Sequence, residues 1–161
     1  GQAGCMTISL PEEDRSYLSK RYMEDQIVAL LGGRVAEKLC LGDISTGASN
    51  DIQRATQIAR KMVASYGMSE KLGTVSFESG HDEVFIGRTM SQGRSYSEAV
   101  AAQIDEEVKD LVGSAYERCR KMLDENRDKL ETVARYLLEH ETMERDAFLA
   151  VFRTPEVPAS V

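Results

Sequence analysis

The sequence predicts a mainly α-helical domain with a small β element, on three observations. Apolar residues recur every three or four positions over several long stretches, the period of a helix with one buried face. Runs of β-formers are short and few, near residues 4–10, 74–77 and 84–86. The composition, 161 residues with 42% hydrophobic and 29% charged, is that of one globular domain able to bury a core without disulfide or metal staples.

The elements follow in chain order. Gly4-Cys5-Met6-Thr7-Ile8-Ser9-Leu10-Pro11 reads as a strand over 4–10, at a sheet edge because proline follows. From Ser19 to Cys40 the residues Met23, Ile27, Leu30, Leu31, Val35 and Leu39 keep a helical phase. Gly32-Gly33 lies inside this pattern, at roughly 1 kcal/mol per glycine relative to alanine. The alternatives are a helix break and a close approach by another segment. The phase continues across the pair, which favours close approach.

Ser45-Thr46-Gly47-Ala48-Ser49-Asn50-Asp51 is a polar turn. A second helix follows, with Ile52, Ala55, Ala59, Met62, Val63 and Tyr66 on one face and Gly67 as its stop. Ser49 is the expected N-cap, which places Asn50 and Asp51 in the first turn. Residues 68–94 lose helical periodicity and carry turn glycines at 80, 87 and 93. They read as an irregular excursion containing two short strands. Ser95-Tyr96-Ser97-Glu98 has the spacing of a capping box. A long helix is expected over 96–124, then one capped by Asn126 and a last one capped by Thr142. The division is thus 12–67 helical body, 68–94 excursion, 95–152 helix hairpin and 153–161 loose tail.

Composition excludes several functions. The net charge is -7, from 20 basic and 27 acidic residues. Nucleic acid needs a basic footprint and is not an expected partner. No run of about 18 apolar residues offers a membrane span. Three widely spaced cysteines suit a reducing compartment rather than a disulfide framework. The sequence has no phosphate-binding Gly-x-x-x-x-Gly-Lys-[Ser/Thr] loop, no Gly-x-Ser-x-Gly elbow and no His-Glu-x-x-His. His81 and His140 stand 59 positions apart without metal-type neighbours, so both read as surface residues. A start at Gly1, in mid-pattern, suggests a piece of a longer protein.

Asp51 is the candidate site residue. As a carboxylate in the first turn of a helix it gains a fraction of a kcal/mol from the positive helix end, and that alone explains it. The alternative is a metal ligand, one of three protein groups converging with two imidazoles from elsewhere. Glu37, on the preceding helix, is either a nearby carboxylate of that site or a solvated residue.

Three segments carry a resemblance: Gly32-Gly33-Arg34-x-Ala36-Glu37, then Ser45-Thr46-Gly47-Ala48-Ser49-Asn50-Asp51-Ile52, then Gly67-Met68-Ser69-Glu70-Lys71-Leu72-Gly73. They resemble, in that order, the peptidase domain of the FtsH family, membrane-anchored AAA+ zinc metalloproteases. Val84-Phe85-Ile86-Gly87-Arg88, Ile104-Asp105-Glu106-Glu107-Val108 and Leu138-Glu139-His140-Glu141-Thr142 agree further. The likeness covers about residues 1–152. It implies that Asp51 is the third zinc ligand and that Glu37 lies beside the site. Lys38 stands where the family usually has a second Glu. It also implies that the edge strand Met6-Thr7-Ile8-Ser9 pairs with extended substrate through main-chain hydrogen bonds.

The family's His-Glu-x-x-His helix, with two zinc ligands and the general-base Glu, would lie before Gly1. So would its ATPase module, which uses ATP and magnesium, and its membrane anchors. The resemblance implies a parent that assembles as a hexamer, degrades unfolded proteins and touches the membrane only through those other segments. This domain would then face a reducing aqueous compartment. The chain alone is expected to hold no zinc and to be inactive. The alternative reading is a helical pseudo-peptidase used for ring assembly or partner docking, and the residues preceding Gly1 would decide between them.

Overall fold

The structure, a computed structural model, describes residues 17–77 and 96–153. Those residues form five α-helices and no strand. The expected strands over 4–10 and 84–86 lie outside the described residues. The one expected over 74–77 is absent. The described chain divides into two compact units, one ending at Arg120 and one beginning at Lys121.

In the first unit, α1 spans Lys20–Leu41. Ser19 caps its start, its Oγ accepting the Tyr22 N–H at 3.2 Å. Gly42 ends it in the left-handed conformation, φ +70°. The helix is unbroken through Gly32 and Gly33, and Met23, Ile27, Leu30, Leu31 and Val35 are buried as the phase demands. No described atom would lie within 4 Å of a Cβ added at either glycine.

Helix α2 spans Ser49–Arg60 and packs on α1. Its N-cap is Ala48, not Ser49, and no side chain caps it. Ala48 is buried, and a backbone turn, Ser49 N–H to the Thr46 carbonyl at 3.1 Å, sets up the first helical residue instead. The helix then widens into a π turn at Lys61–Ser65, in which the Tyr66 N–H reaches back five residues to the Lys61 carbonyl at 2.9 Å. The wider turn shifts the helical phase. Ala64 is buried where Tyr66 was expected, and Tyr66 is exposed.

The π turn also explains the missing strand at 74–77. The Met68 N–H turns back to the Met62 carbonyl at 2.9 Å, and the Ala64 carbonyl accepts the Phe77 N–H at 2.7 Å. The backbone of 74–77 is thus tied to a helix end rather than to a strand. Gly67, φ +59°, makes this possible: the backbone of Thr74 and Val75 passes against it.

Helix α3 spans Glu98–Glu125, a length of about 42 Å. Ser97 caps it, its Oγ accepting the Val100 N–H at 3.3 Å; Ser95 lies outside the described residues. Ala101, Ile104, Val108, Ala115 and Cys119 are buried along one face. Its outer edge is tied to the other elements by ion pairs, Arg60 to Asp105 at 2.8 Å and Arg118 to Asp25. Ile27, Val35, Met62, Val63 and Ile104 form the centre of the core.

The second unit holds the end of α3 with α4 (Arg127–His140) and α5 (Arg145–Val151). Asn126 precedes α4 as expected, but its side chain makes no cap bond there. Its amide donates to the Met122 carbonyl at 2.9 Å instead. Glu144, not Thr142, sits at the N-cap of α5. The rings of Phe148 and Phe152 meet at 5.0 Å, and the Lys129 ammonium lies 5.1 Å from the Phe152 centroid. No residue of α4 or α5 is fully buried. No helix among the described residues is long and apolar enough to cross a membrane.

Candidate metal centre

Asp51 is the third residue of α2 and only 4% exposed. Carboxylates are rarely this buried unless a charge or a metal faces them. Its position aligns it with the positive end of the helix. One turn on, the guanidinium of Arg54, a residue that reaches solvent, lies 3.5 Å from its Oδ1.

Glu37 sits on α1 and is half-buried. Both of its oxygens go to one residue. Ser45 donates its hydroxyl to Oε1 at 2.5 Å and its backbone N–H to Oε2 at 3.2 Å. These two bonds, with the nearby Arg34 charge, hold the Glu37 carboxyl below the usual carboxylate range. Arg34, one helical turn earlier on the same face, donates from Nη2 to the Ser45 carbonyl at 2.9 Å. The Gly47 N–H completes the set, donating to Ser45 Oγ at 3.1 Å. A Cβ on Gly47 would come within 3.2 Å of that same Oγ, so a side chain there would press on the serine hydroxyl.

The structure therefore brings Glu37 to the turn that precedes Asp51. Arg34 and Ser45 were visible in the sequence as parts of two motifs, but no role could be given to either. The signal was present in the spacing: Arg34 and Glu37 share a helix face, and Gly42 turns the chain back over it.

Zinc takes Cys, His or carboxylate ligands, three or four at a time. Asp51 supplies one buried hard oxygen and so fits one corner of such a site. Among the described residues no three His, Cys, Asp or Glu side chains converge. Exposed His140 stacks on Tyr136 at 4.2 Å. Residues 6–9 and His81 lie outside the described residues.

Peptidase family M41 matches residues 1–151. The ATP-dependent zinc metalloprotease FtsH 1 of Thermoanaerobacter sp. (strain X514) is 54% identical over 98% of this chain and 26% of its own length. FtsH 2 of Alkaliphilus metalliredigens (strain QYMF), also named an ATP-dependent zinc metalloprotease, is 54% identical over 94% of this chain and 22% of its own. FtsH of Bacillus subtilis (strain 168), of the same name, is 49% identical over 91% and 23%. The chain thus spans about a quarter of the length of the relatives it matches.

Proposed function

The chain belongs to peptidase family M41, and on that premise we propose that it is the C-terminal part of the peptidase domain of an FtsH-type, ATP-dependent zinc metalloendopeptidase. The observation that carries this reading is Asp51: a buried carboxylate, in the first turn of α2, within the run Ser49-Asn50-Asp51-Ile52. Asp51 is the third zinc ligand. Two imidazoles and the general-base Glu come from a His-Glu-x-x-His segment, a motif these 161 residues do not contain. The zinc, when bound, supplies a water whose pKa is lowered to roughly 7 and polarises the scissile carbonyl.

What the chain itself does is hold and orient. Burial keeps water from competing for the Asp51 carboxylate. The positive end of α2 favours a carboxylate at that position. Glu37 steadies the turn from α1 and does not touch the metal. Met6-Thr7-Ile8-Ser9 are the residues assigned to align extended substrate by main-chain bonds. That mode of binding suits unfolded or damaged chains of many sequences.

The rest of the proposal concerns the longer protein. It is membrane-anchored, hexameric and driven by ATP and magnesium through another module. Its peptidase domain faces a reducing aqueous compartment. Residues 12–67 carry the metal-site helices, 68–94 an excursion, 95–152 a helix hairpin and 153–161 a tail. The 161 residues alone hold no zinc and cleave nothing.

The test is Asp51→Ala in the full-length protein. Proteolysis and tight zinc binding are lost, while ATP hydrolysis stays near the wild-type rate because Asp51 is remote from the motor. Peptide cleavage at the wild-type rate would return Asp51 to the role of a helix-start carboxylate.

A further inference from the structure

We propose that Ser45 is a positioning residue: it clamps the turn that enters α2 onto α1 and thereby fixes where the Asp51 carboxylate is presented. The proposal rests on the reading of Asp51 as a metal ligand.

Four observations carry it. Every polar group of Ser45 is engaged, and three of its four bonds cross to α1. Its N–H and O–H go to the two oxygens of Glu37, and its carbonyl accepts from Arg34. The fourth bond, from the Gly47 N–H to Oγ, folds the turn back over the serine. Second, α2 has no side-chain N-cap, so no capping side chain at its own start does this work. Third, Gly47 lies close enough that a side chain there would press on Ser45 Oγ. Fourth, the turn is short: six positions separate Ser45 from Asp51, with the Ser49 N–H already bonded to the Thr46 carbonyl. A displacement at Ser45 is therefore passed directly into the first turn of α2.

This assigns Arg34 and Glu37 a task that their exposure alone does not suggest. Arg34, a donor, meets the serine carbonyl. Glu37, an acceptor, meets the serine donors. A single residue is thus gripped from both electrical sides by two side chains one helical turn apart. Groups that orient a metal ligand commonly change metal affinity by about 10–100-fold when removed.

The experiment uses the full-length enzyme with zinc itself as the probe. Zinc affinity is measured by chelator competition for wild type, Ser45→Ala, Ser45→Thr, Arg34→Gln and Asp51→Ala. Backbone hydrogen exchange over residues 43–52 and thermal melting are followed alongside. Ser45→Ala should weaken zinc by at least about 10-fold and speed exchange at Gly47 and Ser49, with little change in melting temperature. For a short peptide its kcat should fall with KM unchanged, and added zinc should restore kcat. Ser45→Thr keeps the hydroxyl and should retain wild-type affinity. If Ser45→Ala does not fold, Arg34→Gln removes one grip on the same residue and should show the same pattern more weakly.

Wild-type zinc affinity in Ser45→Ala, alongside its loss in Asp51→Ala, overturns the positioning role and leaves the ligand assignment standing. Wild-type affinity in Asp51→Ala overturns the ligand assignment, and the positioning role with it. A loss of affinity in Ser45→Ala that only tracks a lowered melting temperature, without rescue by Ser45→Thr, also overturns the proposal.

Discussion

Replacing Gly67 with alanine tests the packing around the π turn, because two independent costs meet at that residue. Its φ of +59° is left-handed, a region that costs an L-residue about 1–2 kcal/mol. A Cβ built there would also lie 3.1 Å from Thr74 Cα and from the Val75 nitrogen, and 3.2 Å from the Thr74 carbonyl carbon. These are backbone atoms, held in place by the Phe77–Ala64 hydrogen bond, and cannot swing aside as a flexible side chain would. Relief requires the 74–77 segment to move, at the ~1–3 kcal/mol typical of overpacking. Together, Gly67→Ala should destabilise by about 2–5 kcal/mol. Gly42 is the control. Its φ is +70° but its added Cβ meets nothing within 4 Å, so Gly42→Ala should carry only the ~1–2 kcal/mol conformational cost. Urea unfolding of the two variants gives the difference directly, and the Phe77 amide should exchange faster in Gly67→Ala. Equal losses in the two variants would refute the close approach of residues 74–75.

Three further outcomes follow from the geometry. Ser69 is buried, donates to Glu107 at 2.6 Å and accepts from the Leu72 N–H at 3.1 Å. Ser69→Ala leaves both partners short and should cost ~1–3 kcal/mol, against under ~0.5 kcal/mol for exposed Ser114→Ala; equal values in urea melts would argue against the Ser69 bonds. Gly33→Ala should stabilise the 161-residue chain by ~0.5–1 kcal/mol, since no described atom opposes a Cβ there; a lower melting temperature would mean that another part of the chain covers that face. The third concerns pH. The Glu37 carboxyl is held below its ordinary range by Ser45 first and Arg34 last. Its contribution is therefore full above the unfolded-state value and is lost as pH falls through the lower folded-state value. The stability difference between wild type and Glu37→Gln should shrink on acidification through that window, and a difference that stays constant would contradict the Ser45 bonds.

The helices were legible because burial and period coincide in them. Met23, Ile27, Leu31 and Val35 mark α1, and Ile104, Val108, Ala115 and Cys119 mark α3, without help from anything distant. What the sequence hid was wherever the backbone settled its own hydrogen bonds. The π turn leaves no composition signature, so Tyr66 was assigned to the wrong face and 74–77 to a strand. Caps were displaced for the same reason. Ser49 and Thr142 have capping chemistry, yet Ala48 and Glu144 hold the positions, at Ala48 because burial and the preceding turn fix the helix start. At the candidate site, Asp51 and Glu37 were found by motif. The grip on Ser45 was not, since it depends on Gly42 folding the chain back over the Arg34–Glu37 face.

The central claim is that Asp51 binds the catalytic metal, and anomalous diffraction at the zinc edge from crystals of the full-length enzyme tests it most directly. The account predicts a zinc peak about 2.0–2.2 Å from an Asp51 carboxylate oxygen, with two imidazoles from outside this chain completing the protein ligands. A bound zinc well away from Asp51, with the carboxylate still turned to Arg54, would contradict it.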